Sequence, residues 1–143
     1  MKKIIALTLA LVLSLGLIAC GASTPAPVET KAKNAEIIEF VEKNKSELLK
    51  TMEESFATSS GMTCTSDIYV EGMGFVIVLN ISEFDDLDDA SKAMLQQIYD
   101  AMSGTFDSAL ATMQQELPDL EYFEIQICDT DGDLIATIVA GDK

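Results

Sequence analysis

The sequence predicts an α+β domain with the element order αββαββ, in which two helices cover one face of a four-stranded antiparallel sheet. Two long segments carry apolar residues at spacings of three and four, which is typical of amphipathic helices. Four short segments alternate apolar and polar residues, as half-buried strands do, and turn residues separate the members of each pair. Because such a sheet has one apolar face to bury, we expect the two helices to pack on it.

The first helix is predicted over residues 34–58, and the first two strands are predicted over residues 62–71 and 75–81. Asn34 is a suitable N-terminal cap for the helix, and Gly61 is a typical residue to end it. Alternation along the second strand predicts one apolar face, which consists of Phe75, Ile77, Leu79 and Ile81.

The second helix is predicted to begin within the acidic segment EFDDLDDASK. Asp85 or Asp86 can cap it, and the neighbouring aspartates favour the positive end of the helix dipole. Pro118 ends the helical pattern, because proline removes a backbone donor. Gly104 lies in the middle and is a candidate for a kink, since glycine costs up to about 1 kcal/mol relative to alanine in a helix.

The chain begins with the features of a secretory signal peptide. Met1-Lys2-Lys3 is a short basic start, and an almost wholly apolar segment follows from Ile4 to Ile18. The apolar run that ends at Cys20 has 17 residues. That length is the short limit for a helix that spans a bilayer, and no stop-transfer charges follow it.

At the end of this run, the motif Leu17-Ile18-Ala19-Cys20 resembles the lipobox of bacterial lipoproteins. The resemblance implies cleavage before Cys20 and transfer of a diacylglyceryl group, with fatty acyl chains such as palmitate, to its sulfur. Two or three acyl chains hold a protein firmly on a membrane, whereas one chain binds reversibly. The predicted organisation is a signal peptide over residues 1–19, a lipidated N-terminus and flexible tether over residues 20–33, and a single domain over residues 34–143.

The helix–hairpin order is similar to that of small extracytoplasmic α+β modules of bacterial lipoproteins, including the tandem helix–hairpin repeats of secreted protease-propeptide and inhibitor proteins. The chain as a whole resembles small, uncharacterised surface lipoproteins of Gram-positive bacteria. These resemblances rest on the element order and the lipobox, and they imply a location at the extracytoplasmic face of the cell membrane. They carry no functional residue other than Cys20.

The composition excludes several classes of function. The 143 residues include 24 acidic and nine basic side chains, for a formal net charge of −15, and the chain has no histidine. Nucleic-acid binding needs clusters of lysine and arginine, which this acidic chain lacks. Hydrolytic triads and Cys–His pairs need an imidazole, and the usual zinc sites need histidines or four thiolates. We therefore expect neither nucleic-acid binding nor catalysis.

The segment DTDGD links the last two predicted strands, over residues 120–128 and 134–140. Its three alternating carboxylates are weak candidates for a metal site: Asp129, Asp131 and Asp133. An EF-hand loop needs glycine at its sixth position and glutamate at its twelfth, but these positions hold Leu134 and Ala140. Asp-Gly between alternating apolar segments is a strong hairpin signal. A turn is therefore the preferred interpretation, and weak cation binding is the alternative.

Two pairs of residues remain as candidates for function. Tyr69 and Tyr122 lie in polar registers of their strands and form either a contact surface or a cross-strand shield of the sheet. Cys64 and Cys128 are either a possible disulfide or two buried reduced thiols. The disulfide requires the first and third strands to be neighbours, because the Cα atoms of bonded cysteines lie within about 7 Å of each other.

These observations predict a lipid-anchored, non-catalytic protein of the cell envelope that binds another envelope or extracellular component, either through the open face of the sheet or through the acidic start of the second helix. The expected partners are the membrane, reached through the lipid on Cys20, and an unidentified protein or envelope ligand. No cofactor is expected beyond the covalent lipid. The alternative is a divalent-cation-dependent module that uses its acidic clusters as ligands.

Overall fold

The computed structural model describes residues 33–143. Within them the chain forms three α-helices, four strands and a short 3₁₀ turn: α1 Ala35–Ser60, β1 Cys64–Glu71, β2 Gly74–Ile81, the turn Ser82–Phe84, α2 Asp89–Ala101, α3 Ser103–Met113, β3 Tyr122–Cys128 and β4 Leu134–Gly141. The predicted signal peptide, Cys20 and almost all of the predicted tether lie outside the described residues. The α+β class is confirmed for the domain.

The four strands form one mixed sheet in the order β1-β2-β3-β4. The two hairpins are antiparallel, but β2 and β3 run parallel, so the prediction of a wholly antiparallel sheet is wrong. A helical connection returns the chain to the end of the sheet where the preceding strand began, which gives parallel pairing. The amide of Glu121, just before β3, accordingly donates to the carbonyl of Met73, just before β2, at 2.9 Å.

The second predicted helix is two helices, which meet at Met102. The break lies two residues before Gly104, the predicted site of a kink. The predicted caps of this helix are also wrong, because α2 is capped by Asp88, whose Oδ1 accepts from the Ser91 amide at 2.7 Å. Helix α1 ends as predicted, with Gly61 in the left-handed conformation at φ 68°.

The core lies between the three helices and one face of the sheet. The sheet contributes a continuous apolar surface, which consists of Ile68, Phe75, Ile77, Leu79, Ile81, Phe123, Ile125, Ile127, Ala136, Ile138 and Ala140. Helix α1 packs mainly on β1, whereas α2 and α3 pack on β4. The rings of Phe75 and Phe123 stack at 5.9 Å between their centroids, and Phe106 of α3 meets Phe123 edge-on.

The opposite side of the sheet is the outer face, and it consists of the alternate residues Thr65, Asp67, Tyr69 and Glu71 of β1, Val76, Val78 and Asn80 of β2, Tyr122, Glu124, Gln126 and Cys128 of β3, and Thr137 and Val139 of β4. The three described helices share the apolar core on the other side. These helices therefore do not cover the outer face, of which Val76, Tyr122, Glu124 and Cys128 are nevertheless buried.

Side chains from the helices bind the backbone at both edges of the sheet. At the β1 edge, Glu53 accepts from the Ser66 amide at 2.8 Å, and the Lys45 ammonium donates to the Ile68 carbonyl at 3.1 Å. At the β4 edge, the amide side chain of Gln96 donates to the carbonyl and accepts from the amide of Thr137, both at 2.8 Å. These side chains thus form hydrogen bonds with some of the backbone groups that an edge strand would otherwise leave unpaired.

Candidate functional site

The register of the strands sets two adjacent rows of side chains across the outer face. One row runs through Tyr69, Val76, Glu124 and Val139, and the next runs through Glu71, Gly74, Tyr122 and Gly141. Neighbouring strands lie about 4.8 Å apart, so each row is about 14 Å wide. The rows combine apolar, aromatic and acidic side chains on one surface.

Tyr122 lies across the backbone of Gly74 and reaches β1. A Cβ atom at Gly74 would lie 2.7 Å from two carbon atoms of the Tyr122 ring, so the absence of a side chain makes room for it. The Tyr122 hydroxyl donates to the Glu71 carbonyl at 2.8 Å and lies 3.2 Å from Glu71 Oε2. Burial, and next the Glu71 carboxylate, raise the pKa of Tyr122. The ring is therefore a fixed part of the surface.

The Lys143 ammonium binds two carboxylates of the outer face. It lies 2.8 Å from Glu71 Oε2, it contacts Glu124 Oε2, and it is 5.6 Å from the centroid of the Tyr122 ring. Glu124 is only 5% exposed, and its other oxygen accepts from Gln126 at 2.7 Å. These carboxylates raise the pKa of Lys143, and the ammonium lowers the pKa of Glu71. A buried carboxylate of this kind needs a cationic partner.

The two tyrosines of the predicted contact surface both lie on the outer face but differ in exposure. Tyr69 is 44% exposed, whereas Tyr122 is 6% exposed. Val139, in the same row as Tyr69, is also exposed. Tyr69 and Val139 are thus available to a partner, and Tyr122 forms a wall of the site through its ring.

The three aspartates of the DTDGD segment form a turn. Asp129 Oδ1 accepts from the amides of Asp131 and Asp133 at 3.1 and 2.8 Å, which is the role of a turn-forming aspartate. Thr130 binds Asp85 through its amide and its hydroxyl, both at 2.8 Å, and these bonds lower the pKa of Asp85. Among the described residues, no group of three or more potential metal ligands lies close enough together to hold an ion.

The two cysteines are separate free thiols. Cys64 pairs with Ile81 of β2 on the side of the helices, and Cys128 pairs with Asn80 of β2 on the outer face. One strand therefore lies between them, which places them about 10 Å apart, beyond the reach of a disulfide. Burial raises the pKa of Cys64 to about 12, and it also raises the pKa of Cys128. Neutral thiols of this kind are poor nucleophiles.

A cavity between the helices and the sheet has a volume of about 10 Å³, which is the space of about one water molecule. Its lining is wholly apolar and consists of Phe40, Leu48, Met52, Ile68, Phe75, Ile77 and Met113. This space is too small for a metabolite, so this cavity is not a candidate binding site.

Alternation places Glu71 and Glu124 on the same polar face as Tyr69 and Tyr122, but it predicts no role for them. Lys143 is the residue of the outer-face site that the sequence did not predict. Lys143 lies beyond the last strand, where no periodic pattern extends. The only feature of the sequence that could have indicated its role is a lysine two residues after Gly141, the glycine that ends β4.

Comparison of the chain with protein-family models, with curated proteins and with solved structures found no match. In residues 33–143, no helix has both the length and the apolar character needed to cross a membrane.

Proposed function

We propose that this chain is a lipid-anchored, non-catalytic protein of the cell envelope, and that its domain binds a partner through the outer face. The lipobox motif ending at Cys20 supports the anchor, because it follows a basic start and an apolar segment. The acyl chains would hold the domain at the extracytoplasmic face of the cell membrane. Residues 20–33 would act as the tether between them.

The observation that carries the binding role is the composition of the outer face. The half-exposed ring of Tyr69 and the exposed Val139 lie in one row with the acidic Glu124. Aromatic side chains flanked by fixed polar groups are typical of the anchors of protein interfaces. The described helices pack on the other side of the sheet, and Tyr69 and Val139 are the large apolar or aromatic residues that this face exposes to a partner.

Mass spectrometry and fractionation of the native protein test the anchor. We expect a mature N-terminus at Cys20 that carries a diacylglyceryl group, and recovery of the protein with membranes. Replacement of Cys20 by serine removes the acceptor sulfur and should release the domain from the membrane fraction. An intact Met1 terminus in the native protein would contradict the anchor.

Site-specific photocrosslinking in intact cells tests the binding surface. A photoreactive amino acid at Tyr69, on the outer face, should capture a partner. The same probe at Met94 is the matched control, because Met94 is 50% exposed but lies on α2. Capture from both positions alike, or from neither, would contradict binding through the outer face.

A further inference from the structure

The residues after β4 turn back over the outer face. Strand β4 ends at Gly141, whose φ of 86° is a left-handed conformation that residues with a side chain rarely adopt. A Cβ atom there would also lie 2.7 Å from Leu110 Cδ2. The glycine therefore permits a turn that brings Lys143, two residues later, above β3 and β1.

Each group that receives the Lys143 ammonium also has a hydrogen bond within the sheet that does not involve Lys143. Glu71 is held by β1 and Glu124 by β3, with β2 between them, and Tyr122 is tied to β1 through its hydroxyl. Gln126 occupies one oxygen of Glu124, which leaves the other oxygen for the cation. Two carboxylate oxygens and one aromatic face thus converge on a single point.

We propose that this surface is a recognition site for the ammonium group of a lysine on a partner protein, and that Lys143 fills it as an internal competitor. The inference rests on the proposed binding function and names the chemistry that the outer face recognises. Glu124 lies in a central strand and cannot follow the cation into water, whereas Lys143 lies two residues beyond β4 with a side chain 41% exposed. A departing Lys143 therefore leaves a buried carboxylate that needs another cation.

The geometry favours lysine over arginine. Each carboxylate offers one oxygen to the cation, and these oxygens converge on a compact point charge. A guanidinium instead pairs best with both oxygens of one carboxylate, and Gln126 already occupies one oxygen of Glu124. The net charge of −15 on the whole chain also favours a cationic partner.

Titration with a defined peptide tests the inference. The probe is the peptide Ala-Lys-Ala with blocked termini, added to isotope-labelled protein and followed by the NMR signals of the Gln126 side chain and the Tyr122 ring. In the Lys143→Met variant we expect the peptide to bind about tenfold more tightly than in the unaltered protein. That factor corresponds to an internal ligand that fills the site about nine-tenths of the time.

Two matched controls accompany the titration. Lys92→Met removes the same charge from α2 and should leave the affinity unchanged. The probe peptide with an Nε-acetylated lysine should not bind either protein, and Glu124→Gln in the Lys143→Met background should abolish binding of the unmodified peptide.

Equal affinities in the Lys143→Met and Lys92→Met variants, or equal binding of the two peptides, would overturn the inference. The photocrosslinking at Tyr69 remains a separate test of the proposed function. A partner captured there, together with no preference for the lysine peptide, would retain the binding surface and reject its lysine specificity.

Discussion

The Tyr99 hydroxyl is buried without a hydrogen-bond partner in the part of the chain that the structure describes. Tyr99 lies on α2 and is 1% exposed. Burial raises the pKa of its hydroxyl, because the charged form would lose its hydration. A buried donor without an acceptor lowers the free energy of unfolding, so the Tyr99 hydroxyl destabilises the folded protein.

Replacement of Tyr99 by phenylalanine should stabilise the protein by about 1 kcal/mol, because it removes a desolvated hydroxyl and keeps the ring. Chemical denaturation of the two proteins measures the difference in the free energy of unfolding. Tyr69→Phe is the control, and its effect should be close to zero because the Tyr69 side chain is half-exposed. A destabilised Tyr99→Phe variant would show that the hydroxyl has a partner in solution.

Gly74 and Gly104 should respond in opposite directions to replacement by alanine. At Gly74 the added Cβ would clash with the Tyr122 carbonyl oxygen and lie 2.7 Å from the Tyr122 ring, so we expect destabilisation by about 1–3 kcal/mol. At Gly104, on α3, the Cβ would meet no atom within 4 Å, and alanine should stabilise by about 0.4–1 kcal/mol. Denaturation midpoints give both values. Similar shifts for the two variants would contradict the packing of Tyr122 on Gly74.

At the scale of the secondary-structure elements, the sheet is protected at both edges by side chains from the helices. Gln96 of α2 forms hydrogen bonds with the carbonyl and the amide of Thr137, and Glu53 of α1 accepts a hydrogen bond from the amide of Ser66. These bonds fix each helix against the strand beside it. They also remove groups with which a second copy of the chain could pair.

Replacement of Gln96 by alanine should therefore have two effects. Loss of two hydrogen bonds to β4 should lower the free energy of unfolding by about 1–3 kcal/mol. The freed Thr137 backbone should also increase self-association, which sedimentation velocity measures. Gln97→Ala is the matched control, because the adjacent Gln97 is exposed and should tolerate the change. Equal behaviour of the two variants would show that the edge is not protected in this way.

The elements that could be predicted from the sequence are those with a local signal. Alternation places the four strands, and the spacing of apolar residues with Gly61 places α1. The parallel pairing of β2 with β3 could not be predicted in this way, because it depends on the path of two helices over the sheet. The cap at Asp88 is a local hydrogen bond to the Ser91 amide, but the neighbouring aspartates are equally suitable by residue type, so the sequence does not select among them. The break at Met102 lies close to Gly104, which is its local signal.

The candidate site was predicted only in part, for the same reason. Strand parity places Tyr69 and Tyr122 on one face, but their exposure depends on neighbours in other strands. Tyr122 is buried because its ring crosses Gly74, a contact between β3 and β2. The contacts of Lys143 join residues far apart in the sequence, and no local pattern encodes them.

At the scale of the whole molecule, a carboxylate links the two halves of the chain. Asp85 follows β2 and the 3₁₀ turn, and it binds Thr130 in the turn between β3 and β4. The hydrogen bonds from Thr130 hold the pKa of Asp85 below its ordinary value of 3.8. Ionised Asp85 therefore favours the folded state at neutral pH.

The stabilisation from Asp85 should disappear in acid. Because its folded pKa is below the unfolded value, its contribution is complete above about pH 3.8 and is lost as the pH falls through the folded pKa. The difference in unfolding free energy between the unaltered protein and Asp85→Asn should thus be largest near neutral pH and shrink toward pH 3. Denaturation at a series of pH values measures it. A difference that does not change with pH would contradict the link.

The parallel contact between β2 and β3 divides the fold into two covalently continuous hairpin units, each with its own helical cover. A polypeptide cut after Asp86 should therefore behave as a split protein. Once mixed, its two fragments should restore the native sheet by forming the hydrogen bonds between β2 and β3. Gel filtration should then show a one-to-one heterodimer. Complementation of this kind would show that the pairing of β2 with β3 is sufficient to hold the two fragments together without a covalent link.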